Sequence, residues 1–383
     1  MAGTYADITD VACDVVIIGA GVIGCAAAYN LAKKGRSVTV LDREPNVGEG
    51  ASSRNGGGVR QSGRDGRELP LAMYAVENIW PTLSDELGAD VEYVKRGNLR
   101  LGKTEGHLQT LRKLASMSQG LGLDMKMIGP EEVREINPYL SDQVIGASWC
   151  PTDGHANPMR TTLAYYRAAK ALGVRFVTGV EVKRLRKVRG RVASVECNIG
   201  TFTANDVLLA AGLGSRGIAA SVGIDIPMTG SLIECLVTEA EPTMFPQMLG
   251  VATGDFYGHQ TAHGSFVFGG SSGLEESNGA FGGRPTASIT APAECRAIMG
   301  YIPRLADAKI VRTWAGWEDE SADGVPVISK IDEVPGLTIA CAFTGHGFGI
   351  SPIVGLLLSE LVCDEPTTLD VSAFRYDRFK AWL

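Results

Sequence analysis

The sequence predicts an α/β protein of two domains, one on a parallel sheet and one on an inserted, mostly antiparallel sheet. A β-branched apolar run, Val15–Ile18, precedes a glycine-rich turn and a helix of small residues, which is typical of a strand–turn–helix unit. A second strand–glycine turn–helix pattern occupies 337–362. Between them, residues 225–330 change to β-rich runs with long loops, as expected of an inserted antiparallel domain.

Length and composition support a large folded core. The chain has 383 residues, 45% of them hydrophobic, which is enough for two domains. The formal net charge of −7 argues against a nucleic-acid-binding surface. The 48 glycines cluster in local motifs rather than in repeats, which excludes a collagen-like chain.

The cysteines and termini predict a cytoplasmic protein without metal. The eight cysteines are scattered and include no C-x-x-C pair, so no iron–sulfur, zinc or other metal site is expected. Reduced thiols fit the cytoplasm, and the N-terminus lacks the pattern of a signal peptide. No apolar run reaches ~18 residues, so no transmembrane segment is predicted.

The first glycine turn has the G-x-G-x-x-G spacing of a dinucleotide site. Gly19 would make the tight turn, Gly21 would let the backbone approach a pyrophosphate, and Gly24 would let helix and strand pack closely. Asp42 ends the next strand, 18 residues beyond Gly24, near the spacing of roughly 20 residues expected of a ribose-binding acid. A βαβ unit without nucleotide is the alternative, and the position of Asp42 favours the nucleotide.

A polar, glycine-dense loop at 48–61 follows this acid. Glycines permit close backbone approach, and the hydroxyls and arginines of the loop can bind phosphate, so a ligand contact is favoured over a flexible surface loop. Helices are predicted at 69–87, 105–120, 161–172, 291–301 and 351–362. Strands are predicted at 91–96, 98–101, 174–177, 180–188, 192–197, 206–211, 231–238, 265–270 and 337–342. The glycine turn after 211 serves either packing or a second approach to the nucleotide.

Five separated motifs resemble one family. They are the first glycine turn, Leu209-Ala210-Ala211-Gly212, Arg312-Thr313-Trp314-Ala315-Gly316, Asp323–Ile328 and Gly345-His346-Gly347-Phe348-Gly349. Over nearly its whole length the chain resembles the FAD-dependent D-amino-acid oxidase/glycine–sarcosine oxidase family. The segments Ser52–Gln61 and Glu68–Ala72 are similar to one subgroup, the β subunits of heteromeric dehydrogenases of opines (octopine, nopaline), hydroxyproline and proline, together with relatives that oxidise glycine.

The resemblance implies a Rossmann-like FAD-binding domain at 1–90, 146–224 and 326–383, and a β substrate domain at 91–145 and 225–325. It implies that Gly19, Gly21, Gly24 and Asp42 hold the ADP part of FAD, aided by Arg43, Ser52, Ser53 and Arg54. Ala20, Val22, Ile23, Asn55 and Gly57 are also predicted to bind the cofactor. Val182 would meet the adenine, and Ala211 and Gly212 the pyrophosphate. The flavin ring would lie beside Gly345, His346, Gly347, Phe348, Gly349 and Ile350, where a helix N-terminus stabilises the negative charge of the reduced ring.

Three departures from the family pattern limit how far the family's cofactor and substrate contacts can be assigned to this chain. The segment Arg312–Gly316 lacks the cysteine to which some sarcosine oxidases attach flavin, so non-covalent FAD is expected. Pro158 stands where heterotetrameric sarcosine oxidases have a flavin-bearing histidine, and the nearby His155 is predicted to be a turn residue. Trp317-Glu318 replaces the carboxylate-binding arginine of D-amino-acid oxidases, which argues against simple binding of D-amino acids.

The implied reaction moves a hydride from the carbon next to an amine nitrogen to flavin N5, giving an imine that water hydrolyses. Candidate catalytic residues are His259, Tyr257, Arg60, His346 and Glu318. Each has a structural alternative except His346, for which a flavin-proximal role is favoured. His259 and Tyr257 are predicted either to face the substrate or to be surface or core residues. Arg60 either contacts a carboxylate or the flavin or forms an ion pair that stabilises its loop. Glu318 either receives a cationic group of the substrate or is a solvated charge.

The implied function is that of the catalytic subunit of a heteromeric dehydrogenase. Its substrate is a small amine or amino acid, and its electrons leave through partner subunits with further redox centres. A self-sufficient glycine/sarcosine-type oxidase producing H₂O₂ and a non-catalytic flavin-binding structural subunit are the alternatives. The glycine turn at 345–349 suits a flavin ring better than a nicotinamide domain. The identity of the substrate stays open.

Overall fold

The computed structural model describes residues 12–254, 256–270 and 290–381. Its strands are β1 Cys13–Ile18, β2 Val38–Leu41, β3 Gly58–Val59, β4 Asn98–Gly102, β5 Lys126–Ile128, β6 Gly146–Cys150, β7 Gly154–His155, β8 Arg175–Val177, β9 Val182–Val188, β10 Arg191–Cys197, β11 Gly200–Leu209, β12 Met228–Ala240, β13 Met248–Val251, β14 Tyr257–Gln260, β15 Ser265–Gly270, β16 Ile310–Ser321, β17 Val327–Lys330 and β18 Leu337–Cys341. Its α-helices are α1 Val22–Lys33, α2 Leu69–Tyr74, α3 Leu83–Leu87, α4 Glu105–Gly120, α5 Pro130–Ile136, α6 Pro158–Ala171, α7 Ser215–Ala220, α8 Thr290–Tyr301 and α9 Gly347–Val362.

The first sheet surrounds the N-terminal strand, in the order β17-β18-β11-β1-β2-β8, and the hairpin β9–β10 extends from β11. β1 pairs in parallel with both β2 and β11. Alternate side chains of β1 enter two different cores, since successive residues of a strand point to opposite faces. Val15 and Ile17 pack with α1, α6 and α9, whereas Val16 and Ile18 pack on the side of the hairpin. Both faces of this strand are therefore buried, as its apolar run predicts.

Small residues allow close packing around α1. A Cβ added at Gly24 would collide with the carbonyl oxygen of Gly19, and one added at Gly355 of α9 would lie 2.5 Å from the Cβ of Ala26. The close helix–strand approach predicted at Gly24 is therefore present. The same helix also packs tightly against α9, whose N-terminus reaches the candidate site.

The second sheet has the order β16-β12-β15-β14-β13-β4-β6-β5. Its neighbouring strands are antiparallel except for β13 and β4, which are parallel. One face packs with α8 in an apolar core that includes Leu99, Leu236, Leu249, Phe266 and Phe268. The loop between Gly56 and Gly63 lies on the other face, where added Cβ atoms would meet Tyr257, Met248 and Arg100. β6 belongs to this sheet.

The helix predicted at 69–87 is present between these residues, but it is not a single α-helix. α2 passes into a π-helical turn, Ala75–Ile79, and a 3₁₀ turn, Trp80–Thr82, before α3 begins. Pro81 has no backbone N–H and interrupts the helical ladder. The buried indole of Trp80 donates a hydrogen bond to the carbonyl oxygen of Gly349 (2.8 Å), which fixes the break against α9.

Two further expectations are corrected. Residues 91–96 form only one β-bridge, Val94 with His155, and Glu92 has a φ of 55°, which an extended strand does not tolerate. α9 begins at Gly347 rather than at 351, with His346 as its N-cap and Pro352 inside the helix. The helix predicted at 105–120 and the strand predicted at 265–270 have the predicted bounds, and the other predicted elements are present with shifted ends. No helix of the described ranges is long and apolar enough to cross a bilayer.

Candidate active site

A cavity of about 590 Å³ lies between the two sheets. Ile18, Leu41 and Ala210, at or just beyond the carboxyl ends of three parallel strands, line one side. Tyr257, Gly316 and Glu318 of the second sheet line the other. Ligands of open α/β sheets bind outside the carboxyl ends of the strands, so the position of the cavity is that of a functional site.

The glycine turn forms the wall at one end of the cavity. Gly19 has a φ of 111°, and a Cβ there would collide with the carbonyl oxygen of Ala210. Gly21 faces Ser52, whose Oγ accepts a hydrogen bond from the N–H of Val22 (2.9 Å) and would lie 3.0 Å from a Cβ on Gly21. The backbone is therefore exposed to the cavity at the N-terminus of α1, where a helix attracts anions.

Asp42 is fixed beside this turn by the backbone. Its carboxylate accepts hydrogen bonds from the N–H groups of Ala20 (2.6 Å) and Glu44 (2.8 Å). Burial raises the pKa of Asp42, and these two N–H groups oppose the rise. The hairpin strand β9 continues the wall with Val182 and Lys183.

The structure brings most of the predicted cofactor residues to the cavity. Those that line it are Gly19, Gly21, Val22, Ile23, Asp42, Arg43, Ser52, Arg54, Asn55, Val182, Ala211, Gly212, Gly345, Gly347 and Phe348. The remaining predicted residues lie outside its lining and are Ala20, Gly24, Ser53, Gly57, His346, Gly349 and Ile350. Among these, Ala20 and Gly24 shape the turn from behind, and Ile350 is buried in the core.

A loop with left-handed backbone forms the opposite end of the cavity. Ala342, Thr344 and Gly345 have φ values of 59°, 50° and 71°, a conformation that side-chain-bearing residues rarely adopt. Asp319 of β16 holds this loop: its carboxylate accepts hydrogen bonds from the N–H groups of Ala342 (2.7 Å) and Phe343 (3.3 Å), and its carbonyl oxygen accepts one from Thr344 (2.9 Å). Burial raises the pKa of Asp319 to about 6, although these N–H groups oppose the rise.

Glu318 lines the cavity next to this loop. A Cβ added at Gly345 would lie 2.6 Å from its Oε1. Burial, together with the charges of Glu320 and Asp319, raises the pKa of Glu318 to about 7, against the opposing charge of Arg60. A carboxyl group with this pKa can exchange protons near neutral pH.

Tyr257 faces Glu318's end of the cavity from β14. Its ring fills the space beside two glycines, since a Cβ at Gly56 would lie 2.7 Å from the ring and one at Gly269 would lie 3.1 Å from the hydroxyl oxygen. Burial raises the pKa of Tyr257, so the phenol is neutral and can donate a hydrogen bond.

A buried charge network that the sequence reasoning missed supports the start of α9. The guanidinium of Arg64 pairs with Glu68 and donates a hydrogen bond to the carbonyl oxygen of His346 (3.0 Å). Glu68 also lies 3.2 Å from Nδ1 of His346. Burial would raise the pKa of Glu68, but Arg64 and His346 lower it overall. The i,i+4 spacing of Arg64 and Glu68 was a readable signal of this pair.

This network turns the ring of His346 toward Glu68, outside the cavity lining. Burial lowers the pKa of His346 in spite of Glu68, so the ring is predominantly neutral. His346 thus lies at the start of α9, in the predicted glycine turn, but its ring contacts Glu68 and does not line the cavity.

His259 lies in a second, smaller cavity of about 190 Å³. Its ring stacks on His155, with ring centroids 3.7 Å apart. Burial lowers the pKa of His155 to about 4, and burial with the neighbouring His155 lowers the pKa of His259. His155 belongs to strand β7 and is buried, so its prediction as a turn residue is wrong. The loop residue Asn55 lines both cavities.

Arg60 lies at the end of the glycine-dense loop. Its Nε would be 3.3 Å from a Cβ on Gly58, and its carbonyl oxygen accepts a hydrogen bond from Nε of Arg64 (2.6 Å). Its guanidinium has no ion-pair partner among the described residues. The loop-stabilising ion pair considered for Arg60 is therefore not formed with any described residue.

Comparison with known proteins decides the family. The family model described as FAD dependent oxidoreductase (DAO) matches residues 14–361. The chain belongs to this family. The family and cofactor implied by the motifs are confirmed, and with them the enzyme class, an FAD-dependent oxidoreductase of amines or amino acids.

Members of the family match the chain along nearly its whole length. A glycine oxidase of Geobacillus kaustophilus is 28% identical, over 95% of this chain and 97% of its own length. A sarcosine oxidase subunit beta of an Arthrobacter species is 28% identical, over 96% of this chain and 91% of its own. The crystal structure of an L-proline dehydrogenase from P. horikoshii superposes with a TM-score of 0.87 at 29% identity, over 96% of this chain and 98% of that one. The predicted two-domain α/β fold is confirmed.

The residues of the main cavity fit an FAD. A Cβ would fill the cradle at Gly19 and Gly21, which leaves backbone for a pyrophosphate. The N-termini of α1 and α9 both reach the cavity, at Val22 and Gly347. An elongated dinucleotide with an anionic middle and an electron-accepting ring matches two positive helix ends.

Proposed function

We propose that this protein oxidises the C–N bond of a small amino acid, imino acid or opine to an imine, as the FAD-bearing catalytic subunit of a heteromeric dehydrogenase. The observation that carries the proposal is the meeting of Glu318, Tyr257 and Gly345 at one end of a cavity whose other end is the glycine cradle. Bound FAD would supply the acceptor for a hydride from the carbon next to the amine nitrogen.

The chain would hold FAD without a covalent bond. Gly19, Gly21 and Asp42 would bind the ADP part, Val182 would face the adenine, and Gly345, Gly347 and Phe348 would face the ring. Neither a cysteine nor a histidine is found among the cavity-lining residues of the described chain. Side chains of the kinds that usually bond covalently to flavin are thus not found among the described residues that line the cavity, which supports non-covalent binding.

Glu318 would prepare the substrate nitrogen. A substrate amine is protonated at neutral pH, and only its neutral form has the lone pair that assists loss of a hydride. A carboxylate whose pKa is raised to about 7 can take this proton as a general base. Tyr257 would orient the substrate by a hydrogen bond from its hydroxyl, and Arg60 would bind the α-carboxylate through its guanidinium, which has no ion-pair partner among the described residues.

The route of the electrons separates two candidates. The similarity to a sarcosine oxidase subunit beta supports partner subunits that carry further redox centres. The similarity to a glycine oxidase over 97% of that protein favours the second candidate, a self-sufficient oxidase that passes two electrons and two protons to O₂ and releases H₂O₂.

The test uses the full chain loaded with FAD. Anaerobic titration with glycine, sarcosine, proline, hydroxyproline, octopine and nopaline is read from the absorbance of the oxidised flavin. Bleaching by at least one compound is expected, and no bleaching by any of them would indicate a non-catalytic flavin-binding subunit. The same substrate in air then decides the acceptor: peroxide formed as fast as an artificial dye is reduced indicates the oxidase, and slow peroxide with fast dye reduction indicates the dehydrogenase.

A further inference from the structure

A buried acid–histidine pair lies just outside the main cavity and has no part in the proposed reaction. Glu68, the N-cap of α2, is fully buried, and its Oε2 lies 3.2 Å from Nδ1 of His346. Its other carboxylate oxygen pairs with Arg64. The three side chains therefore join the start of α2 to the N-terminus of α9, where His346 is the N-cap.

The N-terminus of α9 brings this network close to the cavity. Gly347 and Phe348, the first two residues of α9, line the cavity, and His346 directly precedes them. A Cβ on Gly349 would lie 2.9 Å from Nη2 of Arg64, so the guanidinium packs against the first turn of the helix. A charge in the cavity beside Gly347 would therefore act on the imidazole through the protein interior, where charges interact more strongly than in water.

The imidazole of His346 is a neutral base in this arrangement. Burial lowers the pKa of His346, the hydrogen bond with Glu68 opposes the decrease, and the charges of Arg64 and Arg60 add to it. Burial would raise the pKa of Glu68, but Arg64 and His346 lower it overall, so the carboxylate is ionised. An ionised carboxylate beside Nδ1 favours the tautomer with its N–H on Nδ1, which leaves Nε2 to accept a proton.

His346 is also the member of the network with the most exposed side chain. Its exposed fraction is 24%, whereas the side chains of Arg64 and Glu68 are 3% and 1% exposed. A proton from solvent can therefore reach the network at His346. Because the ring lies outside the cavity lining, it would act on a bound cofactor through its charge and not through contact.

The proposed reaction adds negative charge beside α9. A hydride brings two electrons and one proton to the acceptor and therefore adds one negative charge to the site. The positive end of α9 offsets part of this charge, and a proton bound by His346 would offset more of it. A unit charge roughly 10 Å away changes a proton affinity by about tenfold at an effective dielectric constant of ~20.

We propose that His346 takes up one proton from solvent when the bound FAD is reduced and releases it when the FAD is reoxidised. Glu68 and Arg64 are positioning residues, since they hold the ring and its tautomer. The inference rests on the proposed placement of the flavin ring beside Gly347, but it does not depend on which substrate supplies the hydride. The added proton makes reduction more favourable at lower pH.

Two other acids at this end of the cavity have to be separated from His346. Glu318 and Asp319 line the cavity, and burial raises their pKa values to about 7 and about 6, so each could also bind a proton on reduction. Arginine side chains such as Arg60 and Arg64 keep their charge throughout. A Glu318→Gln background removes the first acid, and Asp319 is common to every variant compared.

The first test counts the protons bound on reduction. The midpoint potential of the FAD in Glu318→Gln holoprotein is measured with dithionite and reference dyes from about pH 5 to about pH 8, and its slope with pH gives the protons bound per two electrons. The range of interest begins at the pKa of His346 in the oxidised protein, below its ordinary value of 6.5, and extends about one pH unit or more above it. In this range, Glu318→Gln should bind about one proton more than Glu318→Gln/His346→Gln.

His263→Gln in the same background is the matched control. His263 also lies 3.2 Å from a glutamate, Glu92, but it is exposed and does not line the main cavity. Its replacement should leave the proton count unchanged. Equal proton counts with and without His346 would overturn the proposal.

The second test observes His346 directly and needs no variant to retain FAD. The chain has five histidines, so their imidazole NMR signals can be assigned with single His→Gln variants of the apoprotein. In wild-type holoprotein, the proton affinity of His346 should be at least about tenfold higher after reduction by dithionite, and that of His263 should change less than about twofold. An unchanged affinity of His346 would overturn the proposal. Since dithionite is the reductant, failure of every amine to bleach the flavin would refute the proposed function and leave this test valid.

Discussion

The two ends of the main cavity differ in how far apart in the sequence the residues lie that hold them in place. At the end proposed to bind the nucleotide, Gly19, Gly24 and Asp42 belong to one βαβ unit, and apart from the contact of Gly19 with Ala210 the contacts that shape this unit join residues near in the chain. At the ring end, Asp319 of β16 holds a loop that follows β18, and Glu68 reaches His346 across 278 positions. The first end is a local motif, and the second is an assembly of distant segments.

This difference separates the part of the cavity suited to binding the dinucleotide from the part whose side chains can take part in the reaction. The nucleotide end presents backbone groups, glycines and a fixed acid, which suit any adenine dinucleotide. The ring end contains Glu318 and Asp319, the carboxyl groups whose pKa values are raised to about 7 and about 6. Perturbed titrations concentrate at functional sites. Substitution of Glu318 should therefore lower the rate of the reaction, whereas substitutions that disturb the backbone at either end should weaken FAD binding.

The largest effect is expected at the ring end from Glu318→Gln. Glutamine cannot accept the ammonium proton, so kcat/KM should fall by about 10²- to 10⁴-fold. In the wild type, kcat/KM should fall as the pH drops below about 7, because Glu318 becomes protonated, and this limb should be absent from the variant. Stopped-flow reduction of the flavin at several pH values measures both. A wild-type profile without an inflection near pH 7 would contradict the assignment.

The same variant makes a prediction for stability. The folded-state pKa of Glu318 is raised from 4.5 to about 7, so the folded protein binds more protons than the unfolded chain between these values. Stability therefore falls as the pH rises through this window. Glu318→Gln removes the penalty and should be more stable than the wild type at pH 8, by about 1–2 kcal/mol after allowance for partial exposure. The gain should vanish near pH 4.5, as measured by denaturant unfolding.

A smaller effect on cofactor binding is expected at the nucleotide end. Gly24→Val would force side-chain atoms against the carbonyl oxygen of Gly19 and weaken FAD binding by roughly 10- to 100-fold, the effect of 1–3 kcal/mol of overpacking. Fluorescence titration of the apoprotein with FAD gives the affinity. Gly120→Ala, where a Cβ meets open space, should bind FAD like the wild type. Unimpaired binding by Gly24→Val would refute the role of this close contact.

Asp319→Asn should weaken FAD binding by about 10-fold. The amide has one acceptor oxygen in place of two, so one of the N–H groups of Ala342 and Phe343 loses its charged partner, a change of about 1.5 kcal/mol. The same fluorescence titration measures it. Asp307→Asn changes an exposed aspartate and serves as the control. Equal affinities of the two variants would show that the left-handed loop keeps its conformation without Asp319.

The smallest catalytic effect is expected from His259→Asn. His259 stacks on His155 in the second cavity and does not line the main one. The thermal midpoint should decrease because the stacked ring is lost, while kcat/KM changes less than about twofold. A loss of 10-fold or more, measured with the single chain, would show that the second cavity takes part in the reaction and would weaken the contrast between the two ends.

Individual residues show which contacts of the site could be predicted from the sequence. Gly19 and Gly24 were predictable from the spacing of one turn, although only the neighbour of Gly24 lies in that turn, and Gly19 packs against the distant Ala210. Glu318 was named as a candidate, but its contact with Gly345 needed the pairing of β16 with β12 and the position of the loop after β18. The Arg64–Glu68–His346 network was missed because the i,i+4 spacing of Arg64 and Glu68 does not show whether the pair is exposed or buried. The break at Trp80-Pro81 was visible at Pro81 and was overlooked.

The sequence by itself determined the family, the parallel core and the nucleotide cradle. The core and the cradle depend on periodicity, glycine spacing and one acid at the end of a strand, which are local, whereas the family was indicated by the resemblance of five motifs spread along the chain. Only the tertiary structure decided that Glu318 and Tyr257 share a cavity, that His259 lies in another, and that Arg100 reaches toward the loop at Gly63. These neighbours come from strands far apart in the chain, and their side chains meet only when the register of the second sheet and the path of the loop 56–63 are fixed together.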